Sequence, residues 1–378
     1  MINYTTGDIL RVAKRQNNHK RTYLLVNPLQ AKHMPVSPSR SLEMMGALGA
    51  KLAQAYPNCR LVVGFAETAT AIGAVVASSF PDDCVYLHTT REKVPGITDW
   101  VRFLEEHSHA VEQMLCGERL AARIANTEQL ILVDDEISTG KTLLNMVEQL
   151  RDRFPLLREK EIVAASVLNR LSEENEARLS QAGITAECLV KLACEDYEAL
   201  VKPIQTEAAV DLTGLALPDA DYIDVVQEQA PPDPRTGTEI GRYRAGCLGL
   251  AEAVIHQLQG RVTPGGRLLV LGTEESMYPA LILGRQLERE LGAEVSWHAT
   301  TRSPIGIAQE KGYPIRTGYK LHSFYSEDRE TYLYNLARYD AAVVVTDARR
   351  DLGRPARELG KALWDHGCET LFLVHTMG

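Results

Sequence analysis

The chain has 378 residues and a formal net charge of −9 at pH 7. Its length exceeds that of a typical single domain, so two domains are expected. The negative charge argues against nonspecific binding to nucleic acids or anionic membranes, although it is compatible with a local basic pocket for phosphates. We therefore expect no nucleic-acid or membrane partner.

The 7 cysteines are scattered along the chain and form no Cys-x-x-Cys pair. An odd, scattered set in a chain without a signal peptide is typical of reduced thiols in a cytosolic protein. No apolar run in the sequence reaches membrane-spanning length. These features predict a cytoplasmic protein.

Strand-like apolar runs alternate with helical patterns, which indicates an α/β fold with parallel sheets. The predicted strands are 22–26, 60–64, 84–88, 130–134, 162–168, 187–191, 267–271, 294–298, 341–346 and 370–374. The predicted helices are 39–55, 68–79, 111–125, 141–153, 244–259, 275–291 and 355–366.

One segment, 213–238, is rich in Pro, Gly and Asp, and we interpret it as a linker. It divides the chain into a predicted first domain, 1–212, and a second, 239–378. Similar sequence features recur in both halves in the same order and at similar spacing: the matched segments are 61–68 with 269–276, 88–91 with 299–302, and the strand ending in Asp134-Asp135 with 343–347. We interpret this as a diverged internal duplication.

The segment 130–142 carries the clearest chemical signal. Four apolar residues predict a buried strand, and the pair Asp134-Asp135 follows where that strand should end. A Ser/Thr/Gly loop then leads into a predicted helix, whose N-terminus is suited to a phosphate. Two carboxylates beside a phosphate site suit a sugar phosphate, because they accept hydrogen bonds from vicinal hydroxyls and can approach a divalent metal.

The Gly140-Lys141-Thr142 sequence also suggests a nucleotide-binding P-loop. That motif requires a glycine five residues before Gly140. Asp135 occupies the position, with the wrong charge and without the conformational freedom of glycine. The kinase interpretation is therefore rejected.

The segment resembles the signature of type I phosphoribosyltransferases: a strand, an acidic pair, two mostly apolar residues and a Ser/Thr-Gly loop. Glu136 departs from it by occupying a usually apolar position. The resemblance implies a type I phosphoribosyltransferase-like parallel sheet flanked by helices, with a second, diverged α/β domain of similar topology. It also implies binding of 5-phosphoribosyl 1-diphosphate (PRPP) with Mg²⁺ as cofactor.

Most of the chain resembles a two-domain family that joins a divergent phosphoribosyltransferase domain to a TRSP domain. The second domain is named after the motif present here as Thr301-Arg302-Ser303-Pro304. Further matching pieces are Lys-His-Met-Pro-Val at 32–36, Gly-Phe-Ala-Glu-Thr-Ala-Thr at 64–70, Glu-Glu-His-Ser-His-Ala at 105–110 and Gly-Thr-Glu-Glu at 272–275. In bacteria, such proteins are associated with tellurium-resistance gene clusters and a predicted nucleoside-like biosynthetic pathway.

The resemblance implies roles for the residues of the signature. Asp134 and Asp135 are expected to hold the ribose hydroxyls and the metal, directly or through water. The loop is expected to bind the 5′-phosphate through backbone N–H groups and hydroxyls, and it comprises Ser138, Thr139, Gly140, Lys141 and Thr142. For Lys141, a side chain that points to solvent is the alternative.

Pyrophosphate is expected at the turn after strand 60–64, which holds it through the backbone in this fold class. The turn comprises Ala66, Glu67, Thr68, Ala69 and Thr70. Because a carboxylate repels pyrophosphate, Glu67 is expected to bind metal or cap the following helix. A helix-start loop with a capping threonine is the alternative.

Basic residues follow the next strand. Arg91 and Lys93 lie in a polar loop of the kind that closes over the leaving group in phosphoribosyltransferases. Arg91 is the better candidate because its planar fork can bind a phosphate in a bidentate way. A solvated charge pair with Glu92 is the alternative. The candidate catalytic residues are thus Asp134, Asp135, Arg91 and Glu136.

The acceptor site is less well defined by the sequence. Purine-type phosphoribosyltransferases commonly have an acid at the position of Ser138, which cannot act as a general base without help. Glu136 or a histidine is then the candidate base, unless deprotonation is not needed. His107 and His109 are candidate lid or acceptor-site residues, with a solvated turn or metal ligation as alternatives. Arg170, at the same rim, is a further acceptor-site candidate.

The second domain has its own polar candidates: Thr273, Glu274 and Glu275, together with Thr301, Arg302 and Ser303. Its loop around 301–303 is expected either to bind a phosphate-bearing ligand or to pack between domains. Only one acid, Asp347, stands where the first domain has two, and the Ser/Thr-Gly loop is replaced. We therefore expect no second complete PRPP site.

The sequence thus predicts a Mg²⁺-dependent enzyme that transfers 5-phosphoribosyl from PRPP to an unknown small-molecule acceptor. A homodimer is a possible assembly, because dimers are common in this fold. One alternative is a PRPP-sensing regulator, although the acidic chain shows no basic stripe for nucleic acid. Phosphorolysis or pyrophosphorolysis of a nucleoside-like compound at the same site is a second alternative. A scaffold protein with an inactive site is a third.

Overall fold

The computed structural model describes residues 3–18, 21–103, 113–217, 222–225, 230–348 and 352–376. The chain forms two compact units, each assembled from separate segments. Unit 1 contains Met1–Tyr4, Glu43–Cys194 and Pro232–Gly246. Unit 2 contains Thr5–Leu42, Glu195–Pro231 and Cys247–Gly378.

The helices follow the predicted pattern at most positions. Their bounds are α1 Thr6–Ile9, α2 Pro38–Ala55, α3 Thr70–Ala77, α4 Leu120–Ala125, α5 Lys141–Arg153, α6 Glu173–Gln181, α7 Tyr197–Val201, α8 Ile240–Leu258, α9 Tyr278–Leu291 and α10 Gly353–Trp364. Short 3₁₀ turns occur at Pro155–Glu159 and Pro234–Thr236. Among the helices within the described ranges, none is both long and apolar enough to cross a membrane.

The strands alternate with these helices. Before residue 195 they are β1 Arg11–Lys14, β2 Tyr23–Val26, β3 Cys59–Gly64, β4 Val85–His88, β5 Trp100–Phe103, β6 Gln113–Cys116, β7 Gln129–Ile137, β8 Glu161–Asn169 and β9 Ile184–Lys191. The later strands are β10 Val210–Asp211, β11 Ile223–Val225, β12 Thr238–Glu239, β13 Arg267–Gly272, β14 Glu294–Ala299, β15 Gly318–His322, β16 Glu330–Tyr334, β17 Ala341–Thr346 and β18 Leu371–His375.

Unit 1 is built on a six-stranded sheet with the order β12-β4-β3-β7-β8-β9. The strands β4, β3, β7, β8 and β9 run parallel to one another, and the short edge strand β12 pairs with β4 antiparallel. Apolar side chains of the sheet and of α5, including Leu132, Met146 and Val147, form one buried core. Because the strands are parallel, their carboxyl ends lie at a common edge, where ligands bind in open α/β sheets.

Unit 2 contains a five-stranded parallel sheet with the order β11-β18-β17-β13-β14. A smaller sheet joins β10, β15 and β16. Its core is formed by apolar residues of β13, β17, β18 and α10, such as Leu271, Val344 and Leu359. The N-terminal hairpin β1–β2 contributes Ala13 and Val26 to a second apolar cluster of this unit.

The two units share a strand order. The four central strands run β4-β3-β7-β8 in unit 1 and β14-β13-β17-β18 in unit 2, and all of these pairs are parallel. The prediction of an α/β fold with a second domain of similar topology is therefore confirmed.

Local patterns failed at one predicted helix. The prediction of a helix over 111–125 is wrong in its first half, because Gln113–Cys116 is strand β6 and the helix is confined to Leu120–Ala125. β6 pairs with β5 in an antiparallel hairpin. β6 has only four residues, and a short run of this kind does not distinguish a strand from part of a helix by its periodicity.

The predicted division into 1–212, 213–238 and 239–378 stays a prediction. The compact units differ from it in that residues 5–42 belong to unit 2 and residues 232–246 to unit 1. Within the segment interpreted as a linker, Ile223–Val225 forms strand β11 of the unit 2 sheet.

Candidate functional site

The loop after β3 is anchored to both neighbouring strands. The N–H of Phe65 donates to the carbonyl of Val133, 2.9 Å away, and the N–H of Ala66 donates to Oγ1 of Thr89 at 2.8 Å. The N–H of Thr89 in turn donates to the carbonyl of Gly64 at 2.9 Å. The loop is therefore fixed at the carboxyl edge of the sheet, and the peptide bond that follows Ala66 is cis.

This loop reaches the acidic pair. The side chain of Thr68 is hydrogen-bonded to the carboxylate of Asp135. Desolvation raises the pKa of Asp135, and the hydrogen bond from Thr68 partly offsets that effect. Glu67 is buried, and its carbonyl accepts from Oγ1 of Thr70 at 3.4 Å. Helix α3 begins after Ala69, which offers no side-chain cap. The structure thus joins residues 66–70 with Asp135.

The acidic pair lies within strand β7, which extends beyond the predicted end at 134 to Ile137. Desolvation, followed by the charge of Asp135, raises the pKa of Asp134 well above its usual range. The N–H of Asp135 donates to Oδ1 of Asp134 at 2.9 Å. Two desolvated, adjacent carboxylates repel each other, so a cation or hydroxyl donors at this position would stabilise their charged forms.

The loop that follows presents the start of helix α5. Gly140 has φ of 71°, and a Cβ atom there would lie 3.1 Å from Cδ1 of Leu179. Thr139, Lys141 and Thr142 are exposed, whereas Ser138 is partly buried. The first-turn N–H groups of a helix have no intrahelical acceptors, so this exposed N-terminus offers donors to an anion.

Glu136 and Arg170 form an ion pair at the same edge. Their side chains are 11% and 21% exposed, and Arg170 Nη1 lies 3.2 Å from Glu136 Oε1. Arg170 directly follows β8, the neighbour of β7 in the sheet. The two acceptor-site candidates are therefore in contact.

Arg91 and Lys93 lie in the loop after β4, with Arg91 partly buried and Lys93 exposed. The N–H of Glu92 donates to Oγ1 of Thr90 at 2.9 Å, which orders the start of this loop. Since β4 adjoins β3, these basic residues follow the strand next to the 66–70 loop. His107 and His109 lie outside the described residues.

Sequence reasoning missed the residues that support the loops. Thr89 is fully buried, and its Oγ1 both accepts from the 66–70 loop and donates to Gln113 Oε1 at 2.8 Å. Tyr86 donates to the carbonyl of Thr70 at 2.6 Å. Polar residues at the carboxyl end of a predicted parallel strand were the available signal for Thr89.

Candidates of unit 2 cluster at the carboxyl edge of the second sheet. Glu274 is fully buried, and its Oε2 lies 2.6 Å from Arg302 Nε and 3.1 Å from Arg329 Nη1. Glu275 is buried at 3.9 Å from Arg302 Nη2. Thr273 is hydrogen-bonded to Thr346.

The remaining motif residue, Ser303, has a mainly structural environment. Its N–H donates to Oγ1 of Thr301 at 3.3 Å, and its carbonyl accepts from the hydroxyl of Tyr334 at 2.9 Å. The N–H of Thr301 donates to the carbonyl of Tyr332 at 2.9 Å. Of the Thr-Arg-Ser loop, Arg302 therefore contributes the side chain that meets the acidic residues.

A parallel sheet with an acidic pair at its carboxyl edge, followed by a loop and an exposed helix N-terminus, defines a phosphoribosyltransferase type of α/β protein. Residues 9–195 match the family described as phosphoribosyl transferase (PRTase_2), and residues 242–363 match the TRSP domain found C-terminal to PRTase_2. The chain belongs to the family that joins these two domains, and it is an enzyme of the phosphoribosyltransferase type.

Solved structures with a similar fold include several phosphoribosyltransferases. The adenine enzyme of Trypanosoma brucei, in complex with AMP, pyrophosphate and ribose-5-phosphate, has 16% identity and a TM-score of 0.35, covering 48% of this chain and 76% of that one. The adenine phosphoribosyltransferase of Giardia lamblia, complexed with 9-deazaadenine, has 16% identity and a TM-score of 0.34, and the match covers 49% of this chain and 94% of that one. Orotate phosphoribosyltransferase from Aeropyrum pernix has 14% identity and a TM-score of 0.29, and the match covers 52% of this chain and 93% of that one. Comparison with curated proteins gives no match.

Proposed function

We propose that unit 1 transfers the 5-phosphoribosyl group of PRPP to a base-like acceptor and releases pyrophosphate. The observation that carries this proposal is the contact between Thr68 and Asp135, which joins the loop after β3 to the acidic pair on β7. Together with the start of α5, these elements offer neighbouring positions for the diphosphate, the ribose and the 5′-phosphate of one PRPP molecule.

Each part of PRPP has a matching chemical environment. The exposed N-terminus of α5, preceded by Gly140, is suited to the 5′-phosphate. Asp134 and Asp135 are suited to the ribose 2′- and 3′-hydroxyls, because ionised carboxylates are acceptors only. The 66–70 loop and Arg91 are suited to the diphosphate, since backbone N–H groups and a guanidinium fork are both donors.

Mg²⁺ fits the donor set at this edge. Within the described ranges, no group of three or more His, Cys, Asp or Glu side chains is arranged to hold a metal by itself. Mg²⁺ commonly uses one or two carboxylates and completes its shell with water and substrate phosphates. Asp134 and Asp135 would supply those carboxylates, and desolvation with mutual repulsion makes a cation favourable there. The bound ion would neutralise charge on the diphosphate.

The chemistry breaks the bond between the anomeric carbon and the diphosphate oxygen and forms a bond from that carbon to the acceptor. Positive charge develops on the ribose ring as the diphosphate leaves. In this proposal Asp134 and Asp135 stabilise the positive charge on the ring, and Arg91 stabilises the leaving group. Positioning and fixed charges of this kind supply most of the rate enhancement in such transfers.

Recognition of the acceptor is assigned to the Glu136–Arg170 pair. Its ion pair presents a guanidinium and a carboxylate together at the sheet edge, 3.2 Å apart. Because the carboxylate of Glu136 already accepts a hydrogen bond from Arg170, the pair is better suited to binding polar groups of the acceptor than to removing a proton from it. We place the product among nucleoside-like metabolites, formed in a biosynthetic pathway, and a homodimer is part of the same proposal.

The test is a search for transfer products. The protein is incubated with PRPP, Mg²⁺ and a panel of purine, pyrimidine and pyridine bases together with a metabolite extract. Pyrophosphate release and ribosyl-phosphate adducts are followed by mass spectrometry, with an Asp134→Asn/Asp135→Asn variant as control. We expect an adduct with the unmodified protein and none with the variant. PRPP binding without any adduct in panel and extract would instead favour the sensing alternative.

A further inference from the structure

The 66–70 loop of unit 1 is held by a chain of hydrogen bonds that begins on a neighbouring hairpin. The N–H of Ala66 donates to Oγ1 of Thr89 at 2.8 Å, and that buried hydroxyl donates to Oε1 of Gln113 at 2.8 Å. A threonine hydroxyl has one hydrogen, and Gln113 accepts it, so the oxygen presents a lone pair to Ala66. Gln113 thereby sets the donor direction along the whole chain.

The backbone of the hairpin holds Gln113 in place. Gln113 is the first residue of β6, which pairs with β5. The next residue, Met114, exchanges two backbone hydrogen bonds with Thr90, of 2.8 and 2.9 Å. Because Thr90 directly follows Thr89, the hairpin is joined to this part of the chain twice, through the backbone at Thr90 and through the side chain of Gln113 at Thr89.

Unit 2 repeats the backbone part of this arrangement. The N–H of Glu274 donates to Oγ1 of Thr300 at 3.0 Å. The next residue, Thr301, exchanges two backbone hydrogen bonds, of 2.9 and 2.7 Å, with Tyr332 on the hairpin β15–β16. These bonds match those of unit 1 one for one. Thr331 therefore occupies in unit 2 the position that the glutamine occupies in unit 1.

The side chain at the glutamine position makes a different contact in unit 2. Oγ1 of Thr331 donates to the carbonyl of Thr301 at 3.0 Å, and within the described ranges no side chain of that hairpin bonds to Thr300. The loop of unit 2 nevertheless keeps its backbone bond to Thr300. The fold thus forms this loop without a glutamine, which indicates that Gln113 serves more than the folding of its loop.

The second residue of each loop indicates what Gln113 adds. In unit 2 this residue is Glu274, whose carboxylate accepts hydrogen bonds from Arg302 and Arg329, and these ion pairs fix the loop. In unit 1 it is Ala66, which has only a methyl group. A loop that receives a diphosphate has to leave room for the anion and still hold its N–H groups in fixed directions, because preorganised donors stabilise charge best. The bonds from Gln113 supply that rigidity without a side chain in the loop itself.

We propose that Gln113 is a positioning residue for the diphosphate of PRPP: through Thr89 it fixes the 66–70 loop in the conformation that binds this group. The inference rests on the function proposed for unit 1. Gln113 acts through Thr89 on the loop alone, so its removal should weaken the binding of ligands that carry a diphosphate and spare those that lack one.

The experiment compares two ligands by calorimetry on the full chain with Mg²⁺. Ribose 5-phosphate has the sugar and the 5′-phosphate of PRPP but no diphosphate. Gln113→Met keeps the length of the side chain and removes the acceptor. It should weaken PRPP binding about tenfold, the effect of one lost hydrogen bond, and leave ribose 5-phosphate binding unchanged. Thr89→Val should act in the same way, whereas Thr89→Ser, which keeps the hydroxyl, should bind PRPP as the wild type does.

Two further variants separate this role from general destabilisation. Thr89→Val/Gln113→Met should bind PRPP no more weakly than Thr89→Val alone, because both residues act through one chain. Gln129→Met is the matched control at the amino end of β7, where Oε1 accepts from the N–H of Asn58 at 3.0 Å, and it should bind PRPP normally. Thermal unfolding is measured first. If the buried change at Thr89 unfolds the chain, Gln113→Met, at a partly buried position, carries the test.

The outcomes separate this inference from the function on which it rests. A folded wild type that binds no PRPP would refute the function proposed for unit 1 and this inference with it. PRPP binding that is unchanged by Gln113→Met, or an equal loss of affinity for PRPP and ribose 5-phosphate, would overturn the role of Gln113 alone.

Discussion

At the scale of single residues, the acidic pair is held at an electrostatic cost. Asp134 and Asp135 are adjacent and desolvated, and the pKa of Asp134 is raised well above its usual range. A group with a raised carboxyl pKa in the folded state destabilises the fold once it ionises, because the unfolded chain ionises more easily. This cost is the expected signature of a residue kept for binding rather than for stability.

Replacing Asp134 by Asn should therefore stabilise the protein in the absence of PRPP and Mg²⁺. The advantage should grow as pH rises from about 4 through the folded-state pKa, because only the wild type then carries the costly charge. Thermal unfolding in EDTA at several pH values measures it. The same variant should lose about two orders of magnitude in transfer rate. A lower melting temperature for the variant across the whole pH range would contradict this account.

The buried side chain of His298 in unit 2 should make the free energy of unfolding depend on pH in the opposite direction. Its ring nitrogens lie 2.7 Å from the carbonyls of Ala31 and of Tyr334, and burial lowers its pKa below the usual 6.5. Below about pH 6.5 the unfolded chain binds a proton that the folded chain resists, so stability should fall as pH drops toward the folded-state pKa. Urea unfolding between about pH 7 and pH 5 should show a smaller loss for His298→Gln than for the wild type. Equal losses would exclude this role.

At the scale of elements, the turn from β7 into α5 depends on one glycine. Gly140 has φ of 71°, and a Cβ would approach Leu179 to 3.1 Å. Gly140→Ala should cost about 1–2 kcal/mol of unfolding free energy and raise the KM for PRPP, because the helix N-terminus shifts. Gly46→Ala in α2 is the matched control, since a Cβ there meets nothing within 4 Å. Equal urea midpoints for the two variants would contradict the proposed role of this turn.

These elements also show what the sequence can predict. The run from 130 to 153 is predictable because its apolar strand, turn residues and helical period are local properties. β6 within the predicted helix 111–125 is not predictable this way, because its four residues are too few for their periodicity to distinguish a strand from a helix. The acidic pair was predicted as a site, whereas the support of the loop by Thr89 and Tyr86 depends on strand register, which one sequence does not report.

At the scale of the whole molecule, the compact units do not follow the chain order. Residues 5–42 belong to unit 2, where Lys32 Nζ donates to the carbonyl of Glu274 at 3.1 Å and the carbonyl of Ala31 contacts His298. Composition suggests a break near 213–238, but it contains no signal that an N-terminal segment completes the second unit. Only long-range contacts reveal that assignment.

A chain restricted to residues 195–378 should therefore fail to fold, because it lacks the buried Lys32 and the hairpin β1–β2. Adding residues 1–42 as a separate chain should restore cooperative unfolding, as followed by circular dichroism. Cooperative unfolding of 195–378 alone, at the temperature seen for the same unit in the full chain, would show that the N-terminal segment is dispensable.

The central claim is that unit 1 binds PRPP through Asp134, Asp135 and the loops beside them. Calorimetric titration of the full chain with PRPP, with and without Mg²⁺, tests it most directly, with Asp134→Asn/Asp135→Asn as the control. We expect saturable binding that requires Mg²⁺ and disappears in the double variant. A folded wild type that binds no PRPP under either condition, or a double variant that binds it equally well, would contradict the claim.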